Sequence, residues 1–313
     1  FMIPVLEAVP NFSEGRDLEK VEALVDTIAI KGVDILDWSA DPDHHRSVVT
    51  YIGDPRSVIS ASIAAAEFAV REFDLSRHRG LHPRIGALDV LPFVPLRGLL
   101  MSDAIAAAHK VGQAIASLGV PVFFYGEASN PPGRGLAELR RGGIEALQDG
   151  FHENRKPDLP SSAKFPHTTA GATCVGARDV LLAWNVLVAG IDEEQAKVIA
   201  AKVRERDGGF SGVRALGLYL HQREQAQISM NIEDTMRTAP TAVYEEITQA
   251  VSEMAGEIVE IEVIGMAPDA LVLPGLESRL DPLNLDPKRV LSFRVNEYVQ
   301  TREGRAEVPE DLS

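Results

Sequence analysis

Cysteine is almost absent: 313 residues contain one, Cys174. That excludes an internal disulfide and a cysteine metal cluster, and predicts a reducing, cytoplasmic setting. Long apolar runs are missing too. None reaches the ~18 residues of a membrane span or has the layout of a secretory leader, so no membrane partner is expected. Positive charge is the minority, with 31 Lys and Arg against 46 Asp and Glu and a pI near 5.0. Nucleic acid is therefore not expected as a partner. No G-K-[ST] follows a glycine-rich stretch, so there is no phosphate loop. The glycine-rich run at Gly171–Gly176 leads toward a strand at Val180, not a helix, so it is no dinucleotide fingerprint.

What is present reads as two similar halves. A strand in MIPVLEAVP precedes a helix over Leu18–Lys31, capped by Asp17. Strands at Val33–Ala40 and Arg46–Gly53 precede an Ala-rich helix, Arg56–Phe73. Asp89–Leu96 is an extended segment whose prolines predict a sheet edge. A helix over Ser102–Leu118, with Ser102 as N-cap, and a strand over Val120–Tyr125 extend this half. The second half has a strand (Val180–Val188), a helix (Asp192–Arg206), strands at Val213–Leu220 and Ala226–Ile232, a helix (Thr241–Glu257) and a strand (Ile258–Gly265). Both halves give β-α-β-β-α-β, predicting an α+β protein of two ferredoxin-like subdomains, 1–178 and 179–313. An irregular stretch, Asn130–Ala177, lies between. The final stretch, Thr301–Ser313, is polar and predicts a frayed end.

Against the acidic background, SRHRGLHPRIGALDVLP (Ser76–Pro92) is cationic and titratable. His78 and His82 have a two-ligand helix spacing, but Gly80 and Pro83 argue against a helix and no third ligand has a matching spacing; no metal is expected. His82, restricted by its neighbours and close to Arg84, suits a general base; solvated loop charges pairing with Asp74 and Asp89 at the surface fit equally well. His44 and His45 sit in a turn. Gly171 lets a ligand approach the backbone and Arg178 suits a carboxylate, although a domain-connecting turn explains both as well. Glu127 ends a strand. Cys174 reads as a small buried side chain.

Five blocks occur in order: VPNFSEGR (Val9–Arg16), DHHRSVVTYIG (Asp43–Gly53), SRHRGLHPRIGALDVLPFVPLRG (Ser76–Gly98), PVFFYGEAS (Pro121–Ser129) and GATCVGAR (Gly171–Arg178). Together they resemble the glutamate formimidoyltransferase family. The resemblance implies two α/β subdomains of similar topology, substrates in a groove between them, a homodimer, and a form without a cyclodeaminase domain. It implies transfer of the formimino group of N-formimino-L-glutamate to N5 of tetrahydrofolate, in histidine degradation, without a metal. His82 matches the family's catalytic histidine, and Ala163–Ala172 its folate segment. Ser39, two positions after Asp37, and Leu81 stand where the family pattern often has acids.

Both substrates are polycarboxylates, so Arg46, Arg84 and Arg178, with Gly171 and Ala172, are the expected substrate and folate contacts. Asp37, His45, Arg79 and Glu127 are further candidates. A folate paralogue acting on 5-formyltetrahydrofolate, as formyltransferase or cyclo-ligase, and a non-catalytic folate-binding protein are the rival readings.

Overall fold

The structure is a computed structural model that describes residues 2–152, 155–271 and 287–306. It is α+β, and the chain divides into two compact units, Phe1–Arg178 and Asp179–Ser313.

The first unit opens with two short segments, β1 (Leu6–Ala8) and β2 (Asn11–Phe12). They are one strand interrupted at Val9-Pro10, because both pair with the same two neighbours. Helix α1 (Leu18–Ile28), β3 (Val33–Asp41), β4 (Arg46–Gly53), α2 (Pro55–Glu72) and β5 (Leu88–Pro95) follow. Asp17 accepts the Lys20 N–H to cap α1, as expected, and Asp54 caps α2 through the N–H groups of Arg56 and Ser57. The antiparallel order β3-β4-β1/β2-β5 is that of a ferredoxin-like sheet. Helix α3 (Met101–Ser117), β6 (Val122–Gly126), the short α4 (Leu136–Leu139) and β7 (Thr173–Ala177) extend it.

Three sequence expectations fail here. Strand β5 is interior, not an edge: it pairs with β1 and β2 on one side and runs parallel to β7 on the other. Its Pro92 is tolerated because it lies opposite the Val9-Pro10 break, where its carbonyl still accepts the Val9 N–H at 3.3 Å. Residues Thr173–Ala177 are a central strand, not a connecting turn, between β5 and β6. The N-cap of α3 is Leu100, whose N–H bonds to the Asp103 carboxylate at 2.8 Å, and Ser102 lies inside the helix.

Strand alternation sends Leu6, Ala8, Val49, Tyr51, Leu91, Phe93, Val175 and Ala177 to one face. There they meet the apolar stripes of the helices, among them Leu24, Ala61, Ala65, Ala108 and Ile115. The other face carries Val90, Phe123, Tyr125 and Cys174, covered by Leu139, Leu147 and Ile85. This second cover brings the irregular segment, with Arg140 and Glu145, over the cationic loop.

The second unit comprises β8 (Leu182–Ala189), α5 (Glu193–Val203), β9 (Val213–Leu220), β10 (Gln225–Ile232), α6 (Pro240–Glu253) and β11 (Glu257–Ile264). Its antiparallel order is β11-β8-β10-β9, again ferredoxin-like. Trp184, Val186, Ile199 and Ile247 are fully buried in its core. Helix α7 (Leu291–Ala306) follows, so Thr301–Ala306 is helical where a frayed end was expected. Residues 307–313 lie outside the described residues.

Candidate active site

Three segments of the first unit converge: the β3–β4 turn at Asp43–His45, the loop Leu75–Ala87 after α2, and the segment after α4. Gly80 permits the first crossing. A Cβ there would run into the His44 carbonyl, and the neighbouring Leu81 N–H bonds to the Asp43 carbonyl at 3.3 Å. Gly171, at φ +68°, permits another, since a Cβ would meet the Ile85 carbonyl. Residues 170–172 thereby pair with 85–87: Ala87 donates to the Ala170 carbonyl at 2.9 Å and Ala172 to the Ile85 carbonyl at 2.8 Å.

His82 is half-buried. Its Nδ1 lies 2.8 Å from the Pro83 carbonyl. A carbonyl only accepts, so Nδ1 carries the proton and Nε2 keeps the lone pair. Burial, then the Arg46 and Arg140 guanidiniums and His44, hold the imidazole pKa well below its usual range, against the opposing bond to Pro83. The His44 ring centroid is 5.9 Å away.

A buried carboxylate anchors both guanidiniums. Asp89 is the residue of β5 that a bulge leaves without a partner on β2. Its Oδ1 accepts the Ile85 and Gly86 N–H groups at 2.7 and 3.2 Å. Its Oδ2 accepts Arg46 Nη1 at 2.9 Å and Arg140 Nη1 at 3.1 Å. Burial opposes its ionisation, but the two arginines and these bonds outweigh it and hold its pKa below the ordinary aspartate value. Arg46 also donates to Asn11 Oδ1 at 3.2 and 3.0 Å. Arg140 Nη1 reaches the Pro83 carbonyl at 3.3 Å, and its buried Nε has no hydrogen-bond partner.

Below this layer, Arg84 forms a bidentate pair with Glu145, at 3.0 and 2.6 Å, and donates Nε–H to His78 Nδ1 at 2.8 Å. His78 passes Nε2–H to the His45 carbonyl at 2.7 Å. Burial pushes the His78 pKa down to about 4.

The expected residues therefore separate. His82 and Arg46 stand together. Arg84 is 7% exposed and its carboxylate partner is Glu145, so it supports the loop from within. Gly171 and Ala172 are packed on Ile85, and Ala172 is fully buried; the close approach they allow is to the protein's own backbone. His45 lies 3.7 Å from Glu14, and burial, opposed by Glu14, lowers its pKa. Arg79 is exposed and bonds to the His78 carbonyl at 2.8 Å. Asp37 lies on β3 opposite Thr50, and Glu127 is exposed just after β6. Arg178 directly follows β7, where its charge acts on Glu7 and Tyr125. The expected surface pairing of the loop arginines with Asp74 and Asp89 is replaced: Asp89 is fully buried with Arg46 and Arg140, while Asp74 caps the turn through the Ser76 N–H. Among the described residues no His, Cys, Asp and Glu cluster could hold a metal.

Sequence reasoning missed Arg140, Glu145 and Asn11, and took Asp89 for a surface acid. An acid inside the apolar run ALDVLPFVP was the available signal for Asp89. Arg140 sits in a stretch without periodicity, 51 residues from Asp89.

An imidazole with a lone pair on Nε2, near guanidiniums held on a buried carboxylate, is an arrangement able to accept a proton next to positive charge. The formiminotransferase domain, N-terminal subdomain, matches residues 5–178, and the formiminotransferase domain matches 183–277. A glutamate formimidoyltransferase of Thermoplasma acidophilum is 35% identical over 93% of this chain and 97% of its own. One of Streptococcus pyogenes serotype M1 is 34% identical, over 91% and 96%. A formimidoyltransferase-cyclodeaminase of Sus scrofa is 39% identical over 85% of this chain, which spans 51% of that protein. The chain belongs to the formiminotransferase family.

Proposed function

We propose that the chain transfers the formimino group of N-formimino-L-glutamate to N5 of tetrahydrofolate, with His82 as general base. The observation that carries the reading is the His82 tautomer: Nδ1–H on the Pro83 carbonyl leaves the lone pair on Nε2 of a ring that feels the Arg46 and Arg140 charges.

N5–H attacks the amidine carbon, the C=N electron pair moves onto the amidine nitrogen, and N5 is left positively charged and still carrying its proton. Nε2 of His82 takes that proton. The C–N bond to glutamate then breaks and the proton moves to the departing nitrogen, so the products are 5-formiminotetrahydrofolate and glutamate. A depressed pKa keeps Nε2 free at neutral pH and makes its imidazolium a ready donor for the second step. Holding both substrates in line removes much of the entropic cost of their encounter.

The donor set fits these substrates. The guanidiniums of Arg46 and Arg140 suit carboxylates, and Phe165, 61% exposed within the folate segment of the resemblance, offers an apolar ring to a flat heterocycle. A homodimer in the cytoplasm is part of the same reading. The test offers purified protein formiminoglutamate with tetrahydrofolate, or 5-formyltetrahydrofolate with glutamate, each with and without ATP. ATP-independent turnover of the first pair, lost in His82→Ala, supports the proposal; product from the formyl compound alone overturns it.

A further inference from the structure

We infer that Arg140, braced by Asp89, is a positioning residue that selects which nitrogen of His82 carries the lone pair. The inference rests on His82 being the base, and it identifies what sets that base.

The Pro83 carbonyl has two lone pairs. His82 Nδ1–H uses one at 2.8 Å and Arg140 Nη1–H approaches the same oxygen at 3.3 Å. The Pro83 oxygen belongs to the peptide that follows Pro83, so if that peptide turned the acceptor would swing away from Nδ1. Arg140 ties the oxygen to a fixed point. The same Nη1 bonds to Asp89 Oδ2 at 3.1 Å, and Asp89 is fully buried, held by Arg46 at 2.9 Å and by two backbone N–H groups of the same loop. A chain of three links thus runs from a fixed carboxylate to the imidazole: Asp89, Arg140, Pro83 carbonyl, His82. Phased this way, Nε2 is the base; with the peptide turned, the ring is free to adopt the other tautomer, which places the proton on Nε2.

Arg140 also acts through charge. The groups that bear on the His82 ring are Arg46 from β4, Arg140 from the segment after α4, and His44 from the β3–β4 turn, with Asp89 behind the two guanidiniums. Removing Arg140 takes away one of two cations, which favours protonation of the ring, and unties the Pro83 oxygen, which lets its peptide turn away from Nδ1.

The test uses the full chain labelled with 15N at histidine, with the His82 signals identified by their loss in His82→Ala. Long-range 15N–1H correlation spectra read the tautomer directly. The wild type shows Nδ1–H. Arg140→Gln shifts the population toward Nε2–H, moves the acid limb of the kcat profile to higher pH, and lowers kcat about 10- to 100-fold with KM within about twofold. Arg140→Lys keeps the charge without the planar fork, so its acid limb stays near that of the wild type while kcat still falls. An unchanged Nδ1–H signal in Arg140→Gln overturns the inference whether or not the acid limb moves, since loss of the charge alone shifts that limb; a merely structural role would lower thermal stability and leave the tautomer in place. Should His82→Ala retain activity, the base reading falls instead, and the tautomer spectra still decide whether Arg140 orients the ring.

Discussion

Arg84 donates Nε–H to Nδ1 of His78 at 2.8 Å, and that bond fixes the histidine. With Nδ1 an acceptor, Nε2 carries the proton, and it donates to the His45 carbonyl. The neutral ring is thereby a structural bridge from the cationic loop to the β3–β4 turn. Protonating Nδ1 would point an N–H at a guanidinium.

This relationship predicts a pH dependence of stability. His78 has a pKa of about 4 in the folded chain and about 6.5 unfolded. Between these values the unfolded chain holds the extra proton, so stability falls as pH drops from about 6.5 to 4 and the effect saturates below. Its size is up to about 3 kcal/mol. In His78→Gln the amide can accept from Arg84 and donate to His45 without titrating. Thermal melts at pH 7 and pH 4.5 should therefore differ less in that variant than in the wild type; an equal difference contradicts the assignment.

Glu7 titrates in the opposite sense. Burial raises its pKa to about 7, against the lowering influence of Arg178. The folded chain holds the proton more tightly than the unfolded one, so this stabilisation is present below about 4.5 and lost as pH rises through 7. Glu7→Gln should raise stability at pH 8, by up to about 3 kcal/mol, and change little at pH 4.5. Chemical denaturation at both pH values measures it; a variant destabilised more at pH 8 than at pH 4.5 contradicts this.

Arg84 separates a supporting role from substrate binding. Its guanidinium is committed to Glu145 and His78. Arg84→Met should lower stability by about 2–4 kcal/mol, since Glu145 and the His78 ring lose their partner. The KM for formiminoglutamate of the folded fraction should hold within about threefold. A KM rising by tens of times with stability intact would return Arg84 to the substrate.

Gly171→Ala tests the scaffold under the loop. The φ of +68° and the nearby Ile85 carbonyl act together, so the loss should reach about 2–3 kcal/mol, with activity reduced as the 85–87 segment shifts. Gly133→Ala, at φ +97° with nothing close to the new Cβ, should cost only about 1 kcal/mol. Paired urea melts compare the two; equal losses would mean that backbone conformation alone matters at Gly171.

Much of this was legible in the sequence. The second unit follows the expected elements closely, because amphipathic helices and alternating strands write their own periodicity. His82 stood out because it sits in a cationic loop of an acidic chain. Strand β7 did not, because Gly171 and Gly176 mimic a turn in a segment buried on both faces. Pro92 misled for a related reason: a proline excludes a strand interior only where its N–H is needed, and here the facing strand is itself broken. Arg140 left no trace, since its contacts to Pro83 and Asp89 span 57 and 51 residues and exist only once the irregular segment folds over the sheet.

The most direct measurement is steady-state turnover of formiminoglutamate and tetrahydrofolate by the wild type and by His82→Ala, with folate binding followed in parallel. The account predicts that the variant binds folate within a few-fold of the wild type and loses about 100-fold or more of kcat. Turnover within a few-fold of the wild type would contradict it.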